Sequence, residues 1–257
     1  MSTGGDAIRL ILKSKFLYEY FKKHFFEEFK NPLMIGDYGS GRNEEVPMFF
    51  SIWINEYFPE FSKNIETKEI KSYIYCIDLH QTRLLSLMNK LADASILSTS
   101  RMIFSKLEDL STKAEILDTQ IKLLKKEDMN DLDLEIEKSK RIPENYFDIG
   151  VLNNDMIGFL YQYYTENSKP SNLIKCLNEI RKSQKKDSLL ITTGVGLLYK
   201  NIDYIKLLKE ANFEFIELID INIKDQDQLL VITKPEEFNL SKMSLLNHYS
   251  FAVFKAI

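Results

Sequence analysis

"MIGDYGSGRNEE", residues 34–45, sets Gly36, Gly39 and Gly41 between a short apolar run and a charged, aromatic stretch. An apolar run that meets glycines suits a buried strand feeding a tight turn. The segment behind it, "EEVPMFFSIWINEYF", reads as a helix, with Pro47 tolerated because it falls in or near the first turn. In an open α/β sheet the first strand-to-helix turn borders the ligand site, which lies beyond the carboxyl ends of the strands where their order reverses. The glycine turn occupies that place.

The rest of the chain supplies the sheet. "SYIYCIDLH" (72–80) reads as a strand cut off by Asp78, and "QTRLLSLMNKLADA" as the helix behind it. "FSKLEDLSTKAEILDTQIKLLKKEDMND" is charged and has neither glycine nor proline, which predicts an inserted helical element over about 93–130. "DLDLEIEK" alternates as an edge strand would, and "NYFDIGVLNND" reads as a buried strand ending in polar residues. "NLIKCLNEIRKSQ" predicts a helix with Leu173, Cys176, Leu177 and Ile180 on one side; "SLLITTG" predicts a strand ended by Gly194 and Gly196. The helix "IDYIKLLKEAN" then leads to three further strand candidates, "FEFIELIDIN", "QLLVITK" and "YSFAVFKAI". This alternation predicts a mostly parallel sheet covered on both faces, with the last strands added antiparallel. Ahead of it, Ile8, Ile11, Leu12, Phe16, Tyr20, Phe21, Phe25 and Phe29 fall at helical intervals between Asp6 and Phe29, which predicts one or two helices stopped at Asn31 and Pro32. Residues 1–32 are thus expected as an N-terminal helical cap and 33–257 as the α/β domain.

Bulk properties exclude several classes. The 257 residues are 44% hydrophobic, enough for a generous core, and a net charge of -4 gives no field drawing the chain onto DNA or an anionic membrane. Asp6, Arg9, Lys13 and Lys15 interrupt the N-terminal apolar residues, so neither a signal peptide nor a membrane span is expected. Cys76 and Cys176 lie far apart with no C-x-x-C or histidine spacing nearby. They read as buried free thiols in a reducing cytoplasm, with no metal site expected.

The glycine turn also discriminates between ligands. A P-loop needs G-x-x-x-x-G-K-[ST], and no lysine follows these glycines at that spacing, which excludes such a triphosphate site. For the dinucleotide fingerprint G-x-G-x-x-G, Gly39 and Gly41 supply two positions and the third falls on Glu44. Glu44 and Glu45 would place carboxylates where a pyrophosphate lies, and like charges about 4 Å apart repel by roughly 1 to 4 kcal/mol. A cationic ligand without phosphate suffers no such penalty.

"MIGDYGSGRN" resembles the first motif of the Rossmann-like (class I) S-adenosylmethionine-dependent methyltransferases, an acidic residue followed by G-x-G at the end of the first strand. Asp37, Gly39 and Gly41 match it, and Asn43 stands where a third glycine is frequent. The resemblance spans about residues 33–257 and implies a mostly parallel seven-stranded sheet with helices on both faces and an antiparallel last strand. It implies S-adenosylmethionine as cofactor, held by Asp37, Gly39, Ser40 and Gly41. Asp78 in "YCIDLH" stands at the family's second motif, an acceptor for both ribose hydroxyls, with Leu79 beside it. "RIPENYFDIGVLNND" is similar to the run that ends the fourth strand, which implies Asn153 and Asn154 at the cofactor and Asp155 facing the substrate. The acidic-polar pair that the family keeps after its third strand for the adenine amine has no clean match around Glu137 to Ser139.

Methyl transfer from a sulfonium is an in-line displacement that needs alignment and exclusion of water. A base is required only for a nucleophile that arrives protonated, and Asp155, His80 and Tyr161 are the candidates. The plainer readings make His80 a helix-start residue and Tyr161 a packing residue. No N-P-P-[YF] follows the fourth strand, where "NNDM" stands instead, so the expected acceptor is a small molecule or protein side chain and not DNA. "KFLYEYFKKHFFEEF" is either a lid or an amphipathic helix packed on the sheet, and "FLYQYYT" (159–165) either lines a pocket or buries its rings. A non-catalytic cofactor- or partner-binding protein of the same fold is the second reading, a nicotinamide-dependent oxidoreductase the third. Association into a homo-oligomer stays open.

Overall fold

In the computed structural model, which describes residues 8–28, 32–61, 63, 69–167, 169–195, 204–222, 229–234 and 248–257, the stretch at 34–45 is a strand, a turn and a helix start. The expected boundaries at Asp6, Phe29, Asn31 and Gly196 lie outside the described residues. The strands are β1 (Leu33–Tyr38), β2 (Ser72–Asp78), β3 (Ser100–Phe104), β4 (Glu115–Ile116), β5 (Phe147–Leu152), β6 (Gln184–Val195), β7 (Phe213–Asn222), β8 (Leu229–Ile232) and β9 (His248–Ala256). They form one sheet in the order β4-β3-β2-β1-β5-β6-β9-β7-β8. β1 pairs in parallel with both β2 and β5, so the order reverses between β1 and β5, at the carboxyl end that carries the glycine turn. β9 runs antiparallel between β6 and β7, as expected for the last strand.

All six β1 residues are buried, which accords with a central parallel strand covered on both faces. Alternate residues serve two cores. Ile35, Ile74 and Cys76 face one, with Leu17, Phe21, Phe49, Phe50, Leu84 and Leu87 from the helices on that side. Tyr38, Tyr75 and Ile77 face the other, with Ile136, Ile157, Leu173, Cys176, Leu177 and Ile180. Both cysteines are buried and free. No described helix is long and apolar enough to cross a membrane. In the N-terminal segment Ser14 breaks the helical run: its backbone is extended and its Oγ accepts from Leu17 N–H at 2.9 Å. The same hydroxyl donates to Glu217 on β7, and Phe21 and Phe25 are fully buried.

Three expectations are corrected. The sheet has nine strands where seven were expected, because β4 and β8 add short antiparallel edges at its two ends. The supposed helical insert at 93–130 contains β3, which pairs in parallel with β2 from Ile74↔Ser100 to Asp78↔Phe104. "DLDLEIEK", read as an edge strand, is the helix Asp131–Ser139, begun by a capping box between Asn130 and Asp133. Leu132 and Ile136, four apart, are its buried stripe.

One buried ion pair explains the last two corrections together. Arg101 on β3 and Asp133 on the helix are both wholly buried, and Arg101 Nε donates to Asp133 Oδ2 at 2.8 Å. The guanidinium also reaches the carbonyls of Ser98 at 2.8 Å and Asp128 at 3.0 Å, and Tyr75 Oη donates to Asp133 Oδ1 at 2.9 Å. Removing one partner of such a pair leaves the other charge uncompensated in a dry interior. Asp133→Ala is therefore expected to lower unfolding free energy by about 3–5 kcal/mol, measured by urea denaturation. A loss within about 0.5 kcal/mol, as for ordinary surface substitutions, would contradict this account of β3.

Candidate functional site

The turn after β1 needs backbone that only glycine adopts at no cost: φ is +77° at Gly39 and +62° at Gly41. A side chain at Gly39 would also press on that of Met156. The turn is stitched to the end of β2. Gly39 and Ser40 N–H donate to the Ile77 carbonyl at 2.8 and 3.1 Å, and Gly41 N–H donates to Asp78 Oδ2 at 3.1 Å. Asp78 Oδ1 accepts from His80 N–H at 2.7 Å. Each oxygen of this carboxylate thus takes one backbone amide and keeps capacity for a further donor.

Across the reversal, β5 ends in Asn153, Asn154 and Asp155. Asn154 (φ 55°) and Asp155 (φ 59°) are both left-handed, a strain of about 1–3 kcal/mol each. Their amides hold the conformation by donating to Thr193 on β6, Asn154 to Oγ1 at 3.0 Å and Asp155 to the carbonyl at 2.8 Å. The side-chain amides of Asn43, Asn153 and Asn154 converge on Glu45 Oε2 at 2.9, 3.3 and 3.5 Å. Glu45 therefore ties the helix after the glycine turn to the end of β5.

Between these two edges opens a cleft of about 480 Å³. Asp37, Gly39, Ser40, Asp78, Leu79, Asn153 and Asn154 line it, as does His80. Gly41 does not; it acts through its amide on Asp78. Asp155 is not brought into the wall either: the left-handed backbone turns it into the residue that precedes the helix Met156–Glu166, and it is buried there. Tyr161 packs against the second core, and no described residue of the aromatic N-terminal segment lines the cleft.

Sequence reasoning missed the wall next to Asp78, where Ser105 N–H donates to the Asp78 carbonyl at 3.1 Å. Ser105, Leu107 and Glu108 follow β3, and they line the cleft where the acidic-polar pair had been sought after the wrong strand, near Glu137. The helix Met156–Glu166 adds Met156, Phe159, Leu160, Tyr163 and Tyr164. Both readings of "FLYQYYT" hold, on different faces: Phe159 and Tyr163 are exposed and stacked at 6.5 Å between centroids, while Leu160 and Tyr164 are buried.

Acidic groups gather at the strand reversal, while Arg83 brings a cation to the cleft lining. Asp37 is 1% exposed, and among the described residues neither carboxyl oxygen has a hydrogen-bond partner. Burial first, then the charges of Asp78 and Glu45, push this carboxyl well above the usual range. Glu44, in contrast, is turned away into an ion pair with Lys90, so the repulsion of phosphate rests on Glu45 and Asp78 and not on both glutamates. Among the described residues no group of three or more His, Cys, Asp or Glu is arranged to hold a metal ion. The acidic end of the cleft suits a ligand rich in donors and carrying positive charge.

No family model and no curated protein matches the chain. Solved structures do. The (4+2)-cyclase SpnF is 10% identical over 93% of this chain and 79% of its own, with a TM-score of 0.50. The DszA carbon methyltransferase is 8% identical over 96% of this chain and 53% of its own, with a TM-score of 0.51; the chain spans about half its length. At such identities the likeness establishes the fold, and the chain has the Rossmann-like fold of class I methyltransferases.

The raised carboxyl has a consequence for stability. Between the ordinary carboxylate value and the native one, the unfolded state ionises while the native state keeps its proton, so Asp37 lowers stability as pH rises through that window. Asp37→Asn is expected to be more stable than the parent at pH 7, with the gain shrinking on acidification and gone below about pH 3.5. Thermal midpoints across pH measure this, and a parent as stable as the variant at pH 7 contradicts it.

Proposed function

We propose that the chain binds S-adenosylmethionine and transfers its methyl group to a small-molecule or protein side-chain acceptor. The observation that carries this reading is the buried Asp37 carboxyl, without a hydrogen-bond partner among the described residues, beside Asp78 and Glu45 at the strand reversal of a Rossmann-like sheet. Although Arg83 also lines the cleft, the acidic groups gathered at the strand reversal favour a ligand that brings its own positive charge there and disfavour one that places phosphate there. That weighs against a nicotinamide dinucleotide.

The residues fit the cofactor part by part. Asp78, held by the amides of Gly41 and His80, offers its remaining acceptor capacity to two neighbouring ribose hydroxyls. Ser105 and Glu108 stand after the third strand, where an acceptor for the adenine amine belongs. Asn153 and Asn154, locked by Thr193 and Glu45, form a rigid floor beside the glycine turn. Bound there, S-adenosylmethionine supplies an electrophilic methyl group on a sulfonium. The chain's contribution is then orientation and exclusion of water, worth several kcal/mol of barrier, with the rings of Phe159 and Tyr163 covering the apolar side.

Asp155 and Tyr161 stand outside the cleft wall, which leaves His80 as the one sequence-proposed base that lines it. This favours, as the second reading, a cofactor- or partner-binding protein of this fold without turnover. Isothermal titration with S-adenosylmethionine and with its demethylated thioether product tests the proposal. Binding is expected for both ligands, tighter for the cation, and Asp78→Ala is expected to weaken it on the order of 10- to 100-fold, the effect of losing charge-assisted hydrogen bonds. Absence of heat at millimolar ligand overturns it. Binding with no methyl turnover over a broad amine, hydroxyl and thiol panel selects the second reading.

A further inference from the structure

A second cleft, also of about 480 Å³, opens around the amino ends of β2 and β3. β2 runs from one cleft to the other: Asp78 at its carboxyl end lines the first, and Ser72 at its amino end lines the second, about 20 Å away along the strand. Two polar groups of this second lining lack hydrogen-bond partners among the described residues. Ser72 is 2% exposed and its Oγ is unpaired. The Asn130 side chain is fixed by its other end, since Oδ1 accepts from Asp133 N–H and from Tyr75 Oη, both at 3.0 Å. Its Nδ2 is left as a buried donor with no acceptor among the described residues. Buried polar groups are nearly always paired, so each of these is a cost that the free chain bears.

The lining also limits what could pair with them. Its charged residues are Glu69, Glu127 and Asp128 against Lys71, an excess of carboxylates that disfavours an anion. An ammonium or guanidinium carries donors only and offers Asn130 Nδ2 nothing to bond. A neutral ligand that both donates and accepts is what remains, and a hydroxyl does both. Ser51, Ser98 and Thr99 add hydroxyls to the same wall. Half-buried Tyr73 supplies an apolar ring there, and the Arg101 guanidinium carbon lies 5.8 Å from its centroid. Such a ring suits the C–H face of a sugar as the hydroxyls suit its rim. We infer that this cleft is a binding site for a neutral polyhydroxylated ring, a monosaccharide or cyclitol, separate from the cleft at the strand reversal. What the first cleft binds has no bearing on it.

Saturation-transfer NMR on the intact chain tests this, with glucose, ribose and myo-inositol as probes and spermidine and inorganic phosphate as competitors. At least one of the three polyols is expected to bind in the millimolar range, undisturbed by either competitor. Saturating S-adenosylhomocysteine is expected to leave that signal unchanged, because the two clefts lie at opposite ends of β2. Ser72→Ala is expected to weaken the polyol roughly 3- to 10-fold, and Tyr73→Leu, which keeps apolar bulk and loses the ring, by a similar factor. A structural role for the Ser72 hydroxyl would also show in the thermal midpoint. Because no hydrogen bond is lost, Ser72→Ala is expected to melt at or above the parent temperature while binding more weakly. No saturable signal from any polyol, displacement by spermidine, phosphate or S-adenosylhomocysteine, or parental affinity in either variant overturns the inference. A Ser72→Ala midpoint several degrees below the parent overturns it too, since the hydroxyl would then have a partner within the chain.

Discussion

A carboxyl group buried at the end of β1 with no hydrogen-bond partner among the described residues is the constraint around which the rest of the site is arranged. Burying Asp37 costs free energy that the described residues do not return, since none of them donates a hydrogen bond to it. Its neighbours make the position worse. Asp78 and Glu45 are themselves acceptors, held in place by backbone and asparagine amides that neutralise no net charge. Three acidic groups thus meet at one strand reversal. Strain and destabilisation of this kind concentrate where a ligand acts.

The second feature is how the two halves of the sheet are joined over that field. The strand order diverges from β1, so the glycine turn and the end of β5 have no backbone ladder between them beyond the strands themselves. Glu45 supplies the tie through Asn153 and Asn154. The left-handed pair Asn154–Asp155 places both asparagine amides within reach of it, and Thr193 fixes the pair from β6. Strain in one loop is thereby converted into a rigid edge of the cleft. This is the preorganisation that an alignment-limited reaction needs.

How much of this was legible in the sequence depended on how local the determining interaction is. The turn after β1 was legible because Gly39 and Gly41 answer a local backbone demand, and Asp78 because it ends an uninterrupted apolar run. β3 was not. Arg101 puts a charge in the middle of "SRMIF", and only a partner 32 residues away makes that charge compatible with a buried strand. The same partner caps a helix whose sequence alternates like a strand, so one tertiary interaction concealed two elements. With the third strand misplaced, Ser105 and Glu108 could not be found. Glu44 failed for a similar reason, its partner Lys90 lying 46 positions away. Asp155 failed by proximity: adjacent to Asn153 and Asn154 in sequence, it is turned from the cleft by its own positive φ.

The acidic cluster also implies that ligand binding and folding are linked through Asp37. A cation seated near it restores the missing electrostatic partner, so the ligand would stabilise the native state both by mass action and by relieving a cost already present in the free protein. An asparagine at the same position relieves that cost permanently, and with it removes the difference between free and bound states on which affinity for a cation rests. Greater stability of the free chain and weaker binding of the charged ligand are then two expressions of one term. That opposition is the usual relation between a strained, functional site and its stabilised variant. It also accounts for an acidic residue at a position where packing alone would favour a neutral one.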